Sequence, residues 1–317
     1  MRRRRFLETA FALPAVGAAL AAERPAPQPD TSQPVARLKV AGIVARWVKD
    51  VDNYREVNFA RVTALIRQAA AEGAKLVCTT ECFLDGYYRE VTDQQADLLE
   101  MARRCEAIDS SLYVKKLSAL AGELRIAIVA GMAIREGNQL FNSAQLYTPS
   151  GKLAGLYRKT HNFGRHSQWF AVRGKQDRLD CFPSFDLGLN VGRAGMMICN
   201  DRNFAHTAYD LARNGSQFLL CPTGGSYSFD QLARHAAQVG LWSIWVHPLG
   251  AAVIDDHGHP VVQQRNPLSD DWLAVPAAEL DSPDDRQFTV LADVELRTPN
   301  LSLRPAACPG DKYPVGT

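Results

Sequence analysis

Few architectures accommodate the run Gly195-Met-Met-Ile-Cys199-Asn-Asp-Arg-Asn-Phe204, an apolar stretch that stops at a cysteine and turns at once into short polar residues. A run this short, bounded by turn formers and followed by helical spacing from Ala205 to Arg213, reads as a buried strand feeding a helix. Cys199 sits at the junction. A thiol there meets outward-pointing backbone N–H groups and a positive dipole end, which favour an oxyanion formed beside it and make Cys199 a candidate nucleophile. Cysteine is also among the most frequently buried residue types, so the rest of the chain has to decide between chemistry and filler.

Leu38 to Ala45 predicts a strand, and Phe59, Val62, Leu65, Ile66 and Ala69 then repeat at helical spacing up to Gly73. Lys75 to Thr80 is the next strand and delivers Glu81 at its end. A helix is expected over Leu112 to Leu124, followed by a strong strand over Arg125 to Ile134. Leu140–Tyr147 and Lys152–Tyr157 form a hairpin around Thr148-Pro-Ser-Gly151, whose second arm leads into Arg158-Lys159-Thr-His161. Residues 162 to 190 read as an irregular, aromatic rim of a pocket. Beyond the cysteine come a strand over Gln217 to Cys221, a loop Pro222 to Tyr227, a helix over 229 to 240, an extended stretch Leu241 to Val246, a hairpin of Ala251–Ile254 with Pro260–Gln264, and a last strand Phe288 to Leu296. Strands and helices alternate first and strands then pair by hairpins, so the sheets should be mixed and covered by helices on their outer faces.

Three reactive residues, Glu81, Lys159 and Cys199, each fall just past the carboxyl end of an expected strand, the edge where layered α/β folds build their sites. A carboxylate, an ammonium and a thiol gathered there have complementary tasks: base, oxyanion donor and nucleophile.

Three stretches resemble the carbon-nitrogen hydrolase, or nitrilase, superfamily over roughly residues 37 to 300. They are Ala74-Lys-Leu-Val-Cys-Thr-Thr-Glu81-Cys-Phe-Leu-Asp-Gly86-Tyr87, then Leu140-Phe-Asn-Ser-Ala-Gln-Leu-Tyr with Gly155-Leu-Tyr-Arg-Lys159-Thr-His161, and Ile198-Cys199-Asn-Asp201-Arg202. The resemblance implies an α/β fold, an αββα four-layer sandwich of the nitrilase type, with no metal or cofactor and a homodimer or higher homo-oligomer that stacks two sandwiches. It also implies a Glu-Lys-Cys triad of Glu81, Lys159 and Cys199. Cys-Asn-Asp-Arg resembles the N-carbamoyl-D-amino acid hydrolase form of the elbow and not that of true nitrilases. The chain departs from the family in two places. No acidic residue occurs between Lys159 and Asp177, where members commonly carry a second glutamate, and Asn203 stands where the carbamoylase pattern has a second arginine. His166 occupies the region of that glutamate and is a candidate to orient water or substrate. Arg202, Asn200 and Trp169 are further substrate-binding candidates. For Arg202 two roles stand open: a fork on a substrate carboxylate, or a structural partner of Asp201 or of carbonyls near the elbow.

The ends of the chain differ from its middle. Residues 1 to 22 pair a basic n-region, Met1-Arg-Arg-Arg-Arg-Phe6-Leu7, with an apolar h-region and small residues, the pattern of an export signal, and the Arg-Arg-x-Phe-Leu order resembles a twin-arginine signal. The expected location is therefore a bacterial periplasm, reached by folded export and without a stable membrane anchor. Residues 23 to 36, with four prolines, read as a linker; 37 to 305 as the catalytic domain; 306 to 317 as a tail. The net charge is +2, but the first 22 residues carry four arginines against one glutamate, so the remainder is close to neutral and points away from nucleic acid. Seven cysteines without CxxC or Cys/His metal spacing give a weak disulfide framework and no metal signature.

The leading functional expectation is a cofactor-free thiol amidohydrolase that cleaves a non-peptide C–N bond of a small linear amide or N-carbamoyl compound through a cysteine thioester. Acyl transfer to an amine or hydroxyl, and a non-catalytic binding protein on the same scaffold, are the alternatives. Its partner is a small-molecule substrate.

Overall fold

The computed structural model describes residues 34–49, 51–87, 94–164, 166–171, 181–267 and 287–302. The expected export signal, most of the linker, the C-terminal tail and Cys308 lie outside the described residues.

Two mixed sheets form the centre. The first has the order β13-β1-β2-β4-β5-β6, with the short β3 paired to β4. Its strands are β1 (Ala36–Val44), β2 (Leu76–Cys78), β3 (Glu106–Ala107), β4 (Ala127–Glu136), β5 (Gln139–Tyr147), β6 (Leu153–Arg158) and β13 (Phe288–Leu296). β1, β2 and β4 run parallel, while β4, β5 and β6 form antiparallel hairpins. The second sheet has the order β12-β11-β10-β9-β8-β7. It is built from β7 (Ser184–Asp186), β8 (Arg193–Met196), β9 (Phe218–Pro222), β10 (Ser243–His247), β11 (Gly250–Ile254) and β12 (Pro260–Arg265), with β8, β9 and β10 parallel.

The period-two alternation of β1 decides which layer each side chain enters. Val40 and Val44 join the core shared with the second sheet, whereas Ala41 and Ile43 join the core under the helices. On that outer face lie α1 (Tyr54–Ala71), through Val62, Leu65, Ile66 and Ala69, and α3 (Leu112–Leu124), through Val114, Leu117, Leu120 and Ala121. Ser111 starts α3 by accepting the Tyr113 and Val114 N–H groups, and Arg125, at φ +53°, ends it in a left-handed cap. The second sheet is covered by α5 (Ala205–Arg213) on β8 and α6 (Asp230–Gln238) on β10. Helix, sheet, sheet and helix make the four layers of the expected sandwich.

Two helices were not anticipated: α2 (Gln94–Arg104) and the single turn α4 (His166–Trp169) inside the aromatic stretch. The strands β3 and β7 were also missed. The six described cysteines are all free. Cys78 and Cys82, four apart, enter different cores, as expected of a strand that ends between them. No helix among the described residues is long and apolar enough to cross a membrane.

Candidate active site

Glu81 is carried by the turn that follows β2. Thr79 N–H still bonds Val129 O at 2.9 Å, after which the chain leaves the sheet and crosses β4 at Gly131. A Cβ at Gly131 would stand 2.4 Å from Thr80 O and 2.9 Å from Glu81 Cα, so only glycine allows this crossing. The turn is braced by Asp85, which accepts from Ala133 N–H at 3.0 Å and Tyr87 N–H at 3.2 Å, and by Arg104 of α2, which donates to Asp85 O at 2.8 Å. Burial pushes the Asp85 carboxyl up to about 6, against the lowering pull of the Ala133 N–H and Arg104.

Lys159 lies one residue past β6 and reaches across to that turn. Its Nζ donates to Glu81 Oε1 at 2.6 Å, and Asn142 Nδ2, from the adjacent β5, donates to the same oxygen at 2.7 Å. Both charged side chains are almost wholly buried. Burial alone would raise the Glu81 carboxyl, but the Lys159 ammonium, then His166 and the two hydrogen bonds, outweigh it and hold it below the usual range. Burial likewise opposes the charge on Lys159, yet Glu81, Cys199 and Asp201 together raise it above an ordinary lysine. Glu81 Oε2 is buried with no hydrogen-bond partner among the described residues, a costly arrangement that leaves one oxygen of the carboxylate available to take a proton.

Cys199 ends the run that begins with β8. The ladder stops at Met196, Met197 N–H still bonds Leu220 O at 3.0 Å, and Cys199 adopts φ +47°, a left-handed conformation rare for a side-chain-bearing residue. The helix expected over Ala205 to Arg213 is found there, but a 3₁₀ turn, Cys199–Asn203, and the extended Phe204 separate it from the cysteine, so the thiol does not stand directly at the helix mouth. The sharp turn is fixed by Asp201. One of its carboxylate oxygens accepts from Ile198 N–H and Tyr157 Oη, both at 2.8 Å, and the other from His161 N–H at 2.9 Å and His161 Nδ1 at 2.8 Å. Burial would raise this carboxyl, but the His161 hydrogen bond and charge, with the remaining donors, hold it low.

The Cys199 sulfur opens into a cavity of about 310 Å³ whose walls include Tyr87, His166, Asn200, Arg202, Gly225 and Ser226, with the exposed Phe163 at its rim. Glu81 and Lys159 are not among the described residues that line it. Arg202 donates from Nε to Ser228 O at 2.9 Å, from Nη2 to Ser226 O at 3.3 Å and from Nη1 to Cys199 Sγ at 3.5 Å. Of its two structural alternatives, loop carbonyls are the ones it meets; the Asp201 carboxylate is taken up by His161, Tyr157 and Ile198. Asn200 lines the cavity and donates to His161 O at 3.2 Å. His166 is buried on the wall, edge-on to Tyr87 at 4.8 Å and Phe170 at 5.0 Å. Trp169 sits behind His166, in an apolar cluster with Trp47, Tyr87 and Met101, and is not among the described residues that face the cavity.

Sequence reasoning passed over Asn142 and the Asp201 clamp, although all of their residues lie inside the quoted stretches. Among the described residues no group of three or more His, Cys, Asp or Glu side chains is arranged to hold a metal ion. The arrangement can supply a nucleophile at the cavity wall and, outside the lining residues, a buried carboxylate–ammonium pair whose ammonium lies near enough to the thiol to feel it.

A family model described as carbon-nitrogen hydrolase matches residues 40–263. Relatives include a nitrilase of Pyrococcus abyssi, 32% identical over 52% of this chain and 58% of its own, and a citrullinase of Francisella tularensis, 31% identical over 60% and 62%. An omega-amidase of Homo sapiens is 29% identical over 59% of this chain and 67% of its own. The chain spans about three-fifths of the length of the first two relatives. In structure it is similar to an amidase from Nesterenkonia sp., with a TM-score of 0.63 at 18% identity over 85% of this chain and 94% of that one, a likeness of fold.

Proposed function

The chain belongs to the carbon-nitrogen hydrolase family, and from that premise we propose that it is a thiol amidohydrolase acting on a small linear amide or N-carbamoyl compound. The observation that carries this reading is the buried Glu81–Lys159 pair at 2.6 Å, with Glu81 Oε2 unpartnered among the described residues, and a lysine near enough to feel the thiol of Cys199, which is held in a strained turn on a cavity wall. The omega-amidase and citrullinase among the relatives support the amide-type reaction.

In this reading Glu81 takes the thiol proton as Cys199 Sγ forms its bond to the carbonyl carbon, and the carbonyl π pair moves onto oxygen, where the Lys159 ammonium offsets the charge. Collapse breaks the C–N bond, and the amine or ammonia leaves with the proton held by Glu81. Water then attacks the thioester and gives a proton to Glu81. The C–S bond breaks, and the sulfur recovers that proton as the acid departs. His166, on the cavity wall and close enough to Glu81 to lower its carboxyl, is the candidate to orient that water. Export through residues 1–22 to the periplasm and assembly as a homodimer or higher homo-oligomer complete the proposal.

The test is the mass of the chain when turnover of an amide is quenched in acid. The reading predicts an added acyl group, less one hydrogen, on the peptide that contains Cys199, absent from Cys199→Ser. An unmodified Cys199 during demonstrable amide turnover would overturn it.

A further inference from the structure

The loop between β9 and α6 closes the cavity beside the sulfur, and a Cβ on its Gly225 would stand 3.3 Å from Cys199 Sγ. Three carbonyls of this loop, those of Gly225, Ser226 and Ser228, are engaged by protein groups. Gly225 O meets His247 Nε2 at 2.8 Å. Ser226 O accepts from Arg202 Nη2 at 3.3 Å and from Ser228 N–H at 3.0 Å, and Ser228 O from Arg202 Nε at 2.9 Å.

His247 is itself fixed. It is fully buried at the end of β10, its ring stacks on Trp245 at 5.3 Å and Tyr227 meets it edge-on at 5.2 Å. Its Nδ1 accepts from Leu249 N–H at 3.1 Å, which places the proton of the neutral ring on Nε2 and makes Nε2 the donor to Gly225 O. Burial keeps the ring neutral, pulling it down to about 4 against the opposing pull of the Gly225 bond.

In a trans peptide the C=O and N–H point in opposite directions, and the described chain has no cis bond. With Gly225 O turned to His247, the Ser226 N–H is turned the other way, and among the described residues it has no hydrogen-bond partner. Building on the hydrolase reading above, we propose that His247 is a positioning residue. By taking the Gly225 carbonyl it turns the Gly225–Ser226 peptide so that a donor, not an acceptor, faces the cavity beside Cys199. That N–H donates to the oxygen of the acyl group bonded to the sulfur. Without His247 the peptide is free to rotate and present its carbonyl, which repels the same oxygen.

The experiment is steady-state kinetics of full-length wild type, His247→Leu and His247→Gln on one amide substrate, with iodoacetamide labelling of Cys199 as a check on the site. Loss of one such donor predicts a fall in kcat of about a hundredfold or more in His247→Leu with KM within about threefold, and labelling unchanged. His247→Gln, whose amide nitrogen can reach Gly225 O from the same backbone, should restore kcat to within about threefold of wild type. If His247→Leu does not fold, His247→Asn, too short to reach Gly225 O, carries the same expected loss. A leucine or asparagine variant with wild-type kcat, a rise in KM alone, or a glutamine variant as impaired as the leucine one overturns the proposal. A wild type that turns over no amide overturns the hydrolase reading instead.

Discussion

His161 and Asp201 are joined twice, because the backbone N–H of His161 and its ring Nδ1 both meet the same carboxylate oxygen, at 2.9 and 2.8 Å. The other oxygen holds Tyr157 Oη and Ile198 N–H. Tyr157 and His161 flank Lys159, and Ile198 precedes Cys199, so one buried carboxylate sets the spacing between the ammonium and the sulfur.

Asp201→Asn keeps the shape of that clamp but removes its charge and turns an amide NH₂ toward at least one donor. Bonds to a charged group contribute about 1.5–3 kcal/mol each, so the variant should lose ~3 kcal/mol of stability and more than about tenfold in kcat. Urea midpoints and turnover measured together check this. A variant with an unchanged midpoint and unchanged turnover would show that the clamp does not set the site.

Arg202 spends Nε and Nη2 on the carbonyls of Ser228 and Ser226. A lysine cannot reproduce that planar fork, so Arg202→Lys should loosen the loop beside the sulfur and lower kcat/KM by a similar factor on carboxylated and on neutral amides. A KM that rises for carboxylated substrates alone, by a factor matching ~1–3 kcal/mol, would assign Arg202 to the substrate carboxylate instead.

Two buried groups predict opposite pH slopes of stability. His247, pulled down to about 4 by burial, refuses a proton that the unfolded chain binds at about 6.5, so its contribution is full above that pH and is lost as pH falls toward 4. Asp85, pushed up to about 6 by burial, holds a proton that the unfolded chain releases near 4, so its contribution is full below that and is lost as pH rises through 6. Each is worth about 3 kcal/mol, and in the intact protein they nearly cancel. Urea unfolding at about pH 4 and about pH 7 should therefore show His247→Gln gaining stability on acidification and Asp85→Asn losing it. Matching slopes in the two variants would contradict this account.

Local signals were legible where local physics decides. The bounds of α3 follow from its apolar stripe, and the strand ends that carry Glu81, Lys159 and Cys199 follow from short apolar runs. The helix α2 escaped notice because its leucines, Leu98 and Leu99, are exposed and present no apolar stripe, while β3 and β7 are too short to show a period. Contacts between distant stretches were not legible at all. Asn142 meets Glu81 across 61 positions, Asp201 meets Tyr157 across 44 and His247 meets Gly225 across 22, and no spacing rule encodes such pairings. The helix from Ala205 to Arg213 was legible from its spacing, but the 3₁₀ turn Cys199–Asn203 and the extended Phe204 that set it apart from the cysteine were not.

In the proposed reaction Cys199, Glu81 and Lys159 act as one unit, and ammonia or amine release measures that unit most directly. Wild type, Cys199→Ala, Glu81→Gln and Lys159→Met would be compared over a panel of linear amides, N-carbamoyl amino acids and nitriles. The account predicts release from an amide or N-carbamoyl compound by wild type and a loss of at least about a hundredfold in each folded variant. More than about a tenth of wild-type activity in any one of the three would contradict the assignment of that residue to the reaction.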